Sequence, residues 1–278
     1  MTMEGTLYLV PTPIGNLGDI SQRMAQTLET VDFIAAEDTR VSIKLLNHLG
    51  IKKPMVSYHR HNTETGGQAV IDRLMAGENC ALVTDAGMPA ISDPGEELVA
   101  RCAELDIRVE AIPGPCALVA ALAVSGQPTA RFTFEGFLPM NKKNRRAHLE
   151  SLRCEERTMI FYEAPHKIAA TLQDLAETFG EERPVSLCRE LSKLHEEIIR
   201  TTLGGAVAHY KENNPKGEFV LVVRGAEPTE EREATLEDGL ALVERLREEG
   251  LSLRDAVKRA AKELGLSRNQ LYDLAVDQ

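Results

Sequence analysis

Cysteine is sparse and unpatterned in this chain. Cys80, Cys102, Cys116, Cys154 and Cys188 form no CxxC pair, and no histidine is spaced to complete a zinc site with them. That excludes a disulfide framework or a structural zinc as the organising device, and reduced thiols in a cytosolic protein are expected. No apolar run approaches the roughly eighteen residues of a membrane span, and the N-terminus lacks a basic segment followed by an apolar one. A soluble, cytoplasmic chain without membrane attachment is the expectation. The first strand-like run, Leu7 to Val10, is followed by neither GxGxxG nor GxxxxGK[ST], so the usual dinucleotide and P-loop readings fail. Excess positive charge is missing as well. A net charge of −11 argues against a protein that coats bare nucleic acid by bulk electrostatics.

What charge there is lies unevenly. Residues 226–250 hold nine acidic residues against three basic, more than half of the net total. The opposite bias appears in NKKNRR, where Lys142, Lys143, Arg145 and Arg146 form a local basic patch that reads either as a phosphate contact or as a solvated loop.

The 278 residues exceed the common size of one domain. Short β-rich runs alternate with helical patterns: TLYLV, a helix over 21–30, DFIAAE, a helix over 40–49, MVSYH, a helix over 64–76, CALVT, a helix over 94–105, IRVEAI and a helix over 115–125. This order predicts an α/β domain with a mainly parallel sheet. Gly50 and Gly77 stand where helix ends call for a positive φ. SGQPTARF at 125–132 is the expected connection to a second α/β set: FTFEGF, a basic helical stretch, RTMIFYE, a helix over 165–179, PVSLCRE, EEIIRTTL, a helix over 205–212 and GEFVLVV. EEIIRTTL and GEFVLVV are expected as antiparallel neighbours. The predicted domains are 1–124, 125–225 and an acidic linker with helical appendage at 226–278. Within the appendage, a break at Gly265-Leu266 with Ser267 as N-cap has the form of a helix-turn-helix, although five basic and four acidic residues over 251–278 leave nucleic-acid binding undecided.

Three loops leave presumed strand ends in the first domain: PTPIGN, TDAGMPAISDPG and IPGPCA. Ligands of open α/β sheets gather at such ends. Prolines stiffen these loops while Gly15, Gly87 and Gly114 let backbone approach a ligand closely, although each loop alone also reads as a plain turn. Together with AEDTR (36–40), YHRHN (58–62), FEGFLP (134–139), FYEAPHK (161–167) and the REL-KLHEE pattern (189–197), they occur in collinear order over about residues 5–225. In these motifs the chain resembles the bacterial ribosomal small subunit methyltransferases of the cytidine-2'-O type, within the tetrapyrrole methylase (class III) fold.

That resemblance implies two α/β domains with S-adenosylmethionine folded into the cleft between them. Pro11, the loop from Asp85 through Ala86, Gly87 and Met88 to Pro89, then Ser92, Asp93, Gly114, Pro115, Cys116 and Ala117 would line the cofactor from the first domain. Tyr162, Glu190, Leu191, Gly217 and Glu218 would meet it from the second. Cys116 and Lys167 stand where many relatives are expected to carry Ser and Arg. The implied substrate is 16S rRNA in the small ribosomal subunit, the implied assembly a homodimer, and no metal is implied. Glu37 and Asp38 end DFIAAED at a strand terminus, so either could serve as general base, and equally either could cap the next helix. His59 and His61 are further bases or phosphate contacts. Arg40, His59, Arg60, His61, Lys142, Lys143, Arg145, Arg146 and Lys193 are the predicted RNA contacts. Two other readings stay open: methylation of a small tetrapyrrole-like molecule, and a ligand-sensing regulator that binds nucleic acid through its terminal helices.

Overall fold

The computed structural model describes residues 5–211, 216–227 and 234–276, so the middle of the expected linker, 228–233, lies outside the described residues. The chain divides into two compact units, Met1–Ala226 and Glu227–Gln278.

The first unit carries two five-stranded sheets. One contains β1 (Leu7–Leu9), β2 (Phe33–Ala36), β3 (Met55–Ser57), β4 (Cys80–Val83) and β5 (Val109–Ala111), in the order β3-β2-β4-β1-β5 with every pair parallel. FIAA and CALV are buried along their whole length, as strands covered on both faces must be. Alternate residues feed opposite cores. Leu7, Phe33, Ala35 and Leu82 pack with Val70, Leu74 and Leu98 from α3 (Thr63–Met75) and α4 (Glu96–Glu104). Ile34, Ala36, Ala81 and Val83 pack with Met24, Leu28 and Leu46 from α1 (Gln22–Thr30) and α2 (Thr39–Leu49). Gly50 ends α2 at φ 71° and Gly77 follows α3 at φ 92°, the left-handed geometry expected of both.

The second sheet holds β6 (Phe132–Phe137), β7 (Thr158–Glu163), β8 (Pro184–Arg189), β9 (Glu197–Thr202) and β10 (Phe219–Val223) in the order β6-β7-β10-β8-β9. The mainly parallel expectation holds for the first sheet, whereas in the second only β6 and β7 pair in parallel. The expected β9–β10 pairing is corrected. β8 lies between them and is antiparallel to both, which makes β9 and β10 parallel, joined by a crossover through α8 (Leu203–Tyr210). One face of this sheet is covered by α8, α6 (Lys142–Ser151) and α7 (Ile168–Phe179). The other is covered by α5 (Ala117–Ser125), whose Leu118, Ala121 and Leu122 pack on Ile160, Cys188, Val220 and Val222. The helix predicted at the end of the first domain thus completes the core of the second sheet.

In the C-terminal unit, α9 (Leu236–Glu248), α10 (Leu253–Leu264) and α11 (Arg268–Val276) close around Leu242, Leu246, Val257, Ala260 and Leu271. Thr235 and Ser252 cap the first two helices and Gly265 ends the second at φ 67°. Gly239 makes the packing possible, because a Cβ there would lie 2.7 Å from the methyls of Leu266 and Leu271. Among the described residues no helix is long and apolar enough to cross a membrane.

Candidate active site

Strands β4, β1 and β5 are adjacent, so their three exits converge at one end of the first sheet. The exits are also tied to one another. Thr12 and Gly87 exchange backbone hydrogen bonds of 2.9 and 3.0 Å, and the Thr12 hydroxyl donates to the Thr84 carbonyl at 3.0 Å. Gly114 packs directly on Pro11: a Cβ there would sit 2.4 Å from the proline Cγ. In the TDAGMPAISDPG loop, Ala90 and Ser92 hold φ values of 67° and 66°, a left-handed conformation that non-glycine residues adopt only when their surroundings impose it.

The second sheet supplies the facing wall. The Tyr162 hydroxyl accepts from the Leu118 N–H at 3.0 Å, pinning the start of α5 to β7. Its ring meets Phe134 and Phe137 edge-on at 4.9 and 5.6 Å. Val220 stands opposite Tyr162 on one side and Cys188 on the other, giving a continuous row across the sheet. Glu190, at φ 52°, accepts from the Lys193 ammonium at 2.7 Å and from the Glu218 N–H at 3.0 Å. Only glycine fits at 217, where a Cβ would fall 2.3 Å from the Glu190 Cγ. The loop after β8 then reaches the first sheet, with Lys193 lying over Gly15 and the Ser192 hydroxyl donating to Asp19.

Between the walls lies a cavity of about 390 Å³. Of the predicted cofactor residues, Asp85, Ala86, Gly87, Ser92, Asp93, Cys116, Ala117, Tyr162, Glu190, Leu191 and Glu218 line it. Pro11, Pro89, Gly114, Pro115 and Gly217 do not; Pro11 and Pro89 are buried behind it, Gly114 and Pro115 border a shallower pocket beside it, and Gly217 makes room for Glu190. Met88, inside the Asp85 to Pro89 loop expected at the cofactor, lines the cavity as well, whereas sequence reasoning missed Ile14, Ile91, Phe137, Glu163, Ala164, Pro165, Cys188, Phe219 and Val220. Phe137 and 163–165 stood inside quoted motifs, whereas Val220 and Cys188 depend on a strand register that no motif shows.

Carboxylates dominate the electrostatics. Among the described residues Glu37, Asp85, Asp93, Glu163, Glu190 and Glu218 line the cavity against one cation, Lys193. Burial, followed by the charge of Glu37, pushes Asp93 up to about 6. Burial also raises Glu37 and Asp85. Asp38 goes the other way. It caps α2, accepts from the Arg40 guanidinium and backbone N–H, and is held down to about 2. Of the two predicted general bases, only Glu37 reaches the cavity.

The predicted RNA contacts separate into groups. Arg40 is exposed and paired with Asp38. His59, Arg60 and His61 form the loop between β3 and α3, where the Arg60 guanidinium donates to the Ser92 carbonyl. Lys142, Lys143 and Arg146 are exposed in the first turns of α6. Arg145 turns inward to Asp174 at 2.7 Å and to the Thr171 hydroxyl at 2.9 Å. Lys193 is the cavity cation, 2.7 Å from Glu190 and 3.1 Å from Glu218. No group of metal-ligating side chains occurs among the described residues.

Residues 6–207 match the family Tetrapyrrole (Corrin/Porphyrin) Methylases, and residues 233–278 match the RsmI C-terminal HTH domain. A curated protein of Synechocystis named Ribosomal RNA small subunit methyltransferase I is 52% identical over 98% of each chain. Its counterparts from Halalkalibacterium halodurans and Escherichia coli O157:H7 are 47% and 45% identical, covering 98% and 99% of this chain and 94% and 96% of their own. Solved structures share the fold at lower identity. Diphthine synthase superposes with a TM-score of 0.60 at 14% identity, over 79% of this chain and 90% of its own. Uroporphyrin-III-C-methyltransferase of Thermus thermophilus gives 0.55 at 18%, over 78% and 94%. With two α/β sheets enclosing one cavity and relatives matched along nearly its whole length, the chain belongs to the tetrapyrrole methylase family, among the ribosomal RNA small subunit methyltransferase I proteins.

Proposed function

We propose that this chain is an S-adenosylmethionine-dependent methyltransferase of small-subunit rRNA, and that the acceptor is the 2'-oxygen of a cytidine. The observation that carries the reading is the cavity itself, apolar along Ile14, Met88, Leu191 and Val220 and ringed by carboxylates. Its chemistry fits a cofactor that carries cationic groups and a flat aromatic base, because acidic groups attract a sulfonium and an ammonium while apolar walls accept the adenine. The Pro11–Gly114 and Thr12–Gly87 contacts fit it too, since they hold the strand exits that form one wall against one another.

S-adenosylmethionine supplies a methyl group on a positively charged sulfur that departs as a neutral thioether. The chain's share is positioning and proton management. Ser92, Cys116, Ala117, Tyr162, Leu191 and Glu218 would hold the cofactor. The ribose hydroxyl must lose its proton as its oxygen gains the methyl, and the carboxylates of Glu37 and Asp93 are placed to accept it. Asp38, bound to Arg40 and of low basicity, is not.

The RNA substrate is supported by the names of relatives 45–52% identical to this chain and by the exposed cations of α6. Lys142 and Lys143 sit in the first turn of that helix, where positive charge opposes the helix dipole, so helix stability does not account for them. On a chain of net charge −11 these cations act locally, on a shaped substrate rather than on any RNA. We further propose a homodimer in the cytoplasm.

Incubation with methyl-labelled S-adenosylmethionine and small subunits from cells lacking this enzyme tests the reading. Label should enter rRNA as 2'-O-methylcytidine, detected as a nucleotide resistant to alkaline cleavage. Label on a base or another nucleotide overturns the cytidine-2'-O claim, and label in a small tetrapyrrole alone overturns the RNA claim.

A further inference from the structure

A second cavity, of about 420 Å³, adjoins the first. Tyr58, Arg60, Thr63, Pro94 and Glu97 are among its walls, and Ser92, Asp93 and Phe137 line both spaces. The shared residues make the partition between the cavities. Phe137 is 54% exposed, an unusual state for a phenylalanine already in ring contact with Tyr162. Among the described residues Arg60 is the only cation on these walls, and the Ser92 carbonyl tethers its guanidinium at the partition. Carboxylates at Glu96 and Glu97 make the rest of the rim acidic.

We propose that this second cavity seats the acceptor nucleotide of a single-stranded RNA segment, its base stacked on Phe137, its flanking phosphate at Arg60 and its ribose at Asp93. The inference rests on the methyltransferase reading and assigns the acceptor subsite of that reading to named residues. An exposed aromatic face recognises any base by stacking. A lone guanidinium binds one phosphate well, while the carboxylates beside it repel a chain that brings many. Carboxylates also accept from the exocyclic amine of cytosine, a contact that uracil, which carries a carbonyl there, cannot make. Because Asp93 stands on the partition, a hydroxyl in the second cavity reaches the first without crossing bulk solvent.

The chain contains no tryptophan, so Phe137→Trp creates a unique reporter. With 5-fluorotryptophan incorporated, residue 137 gives the sole ¹⁹F resonance, and unlabelled small subunits are silent. The full-length variant is first saturated with S-adenosylhomocysteine, then titrated with subunits lacking the modification. The expected result is that the resonance moves in chemical shift on subunit addition, beyond the broadening that any complex of that size brings, and that Arg60→Gln in the same background raises the subunit concentration required by about ten-fold. Phe137→Ala should raise the KM for subunits by a similar factor, and by more than it weakens S-adenosylhomocysteine binding, since its ring lines both cavities. A resonance that responds to S-adenosylhomocysteine and ignores subunits overturns the proposal, as does one that responds to neither. If wild-type protein methylates the subunits while the resonance ignores them, the subsite alone is refuted. If no methyl enters the subunits, the methyltransferase reading has failed instead.

Discussion

Asp93 shows how one position can oppose folding while serving a site. Burial and the neighbouring Glu37 raise it to about 6, so ionising it works against the folded state. The penalty is absent below its unfolded value near ~3.9, grows as pH rises towards 6 and stays constant above that. Asp93→Asn removes it. After allowance for solvent screening the gain is about 1 kcal/mol, so the variant should melt about 2–4 °C above the parent at pH 8 and together with it near pH 4, by calorimetry. An equal gain at both pH values would show that ionisation is not the cause. Gly114 shows a steric constraint at the same scale. Gly114→Ala places a methyl against Pro11, and about 1–3 kcal/mol of stability should be lost together with S-adenosylhomocysteine affinity, by denaturant titration and calorimetry. Unchanged affinity would mean that this contact does not shape the cavity.

At the scale of elements, α6 has two faces with separate duties. Arg145 joins it to α7 through Asp174 and Thr171, and Thr171 in turn donates to the buried Glu163 in the cavity wall. Arg145→Ala should therefore cost about 1–3 kcal/mol of stability. The triple variant Lys142→Ala, Lys143→Ala, Arg146→Ala should leave the melting temperature unchanged or slightly higher, since it relieves charge at a helix N-terminus. Its subunit affinity should fall, with a shallower salt dependence by about one slope unit per lost phosphate contact. Equal subunit binding by variant and parent would remove α6 from the RNA surface. Helix α5 offers a second case: Tyr162→Phe deletes the bond to Leu118 and should cost about 1 kcal/mol while weakening S-adenosylhomocysteine binding a few-fold, measured by calorimetry.

For the whole molecule, the division at Ala226 is the testable feature. Each unit has its own core, so a chain ending at 226 should fold, melt cooperatively and bind S-adenosylhomocysteine like the parent. A loss of subunit methylation in that chain would assign the three C-terminal helices to substrate engagement. Loss of cofactor binding would show instead that the first unit is incomplete alone. The cavity depends on long-range agreement within that unit: one wall comes from the exits of β4, β1 and β5, the other from β7, β8 and β10.

Local chemistry determined a good deal. Short continuous apolar runs such as CALV and glycine stops at 50 and 77 act within a few residues, so strands, helices and the three proline-glycine exits were legible in the sequence. The resemblance carried by contiguous motifs, rather than local chemistry, placed twelve of the lining residues at the cofactor. Tertiary structure decided what depends on partners distant along the chain. Placing β8 between β9 and β10 is a choice of neighbours that strand composition does not encode. Arg145 and Arg146 are adjacent and chemically identical, yet helical rotation points one at Asp174 and leaves the other to solvent. Glu37 and Asp38 also read alike: Arg40, two residues on, lowers Asp38 locally at the helix cap, whereas the burial that raises Glu37 exists only in the packed site.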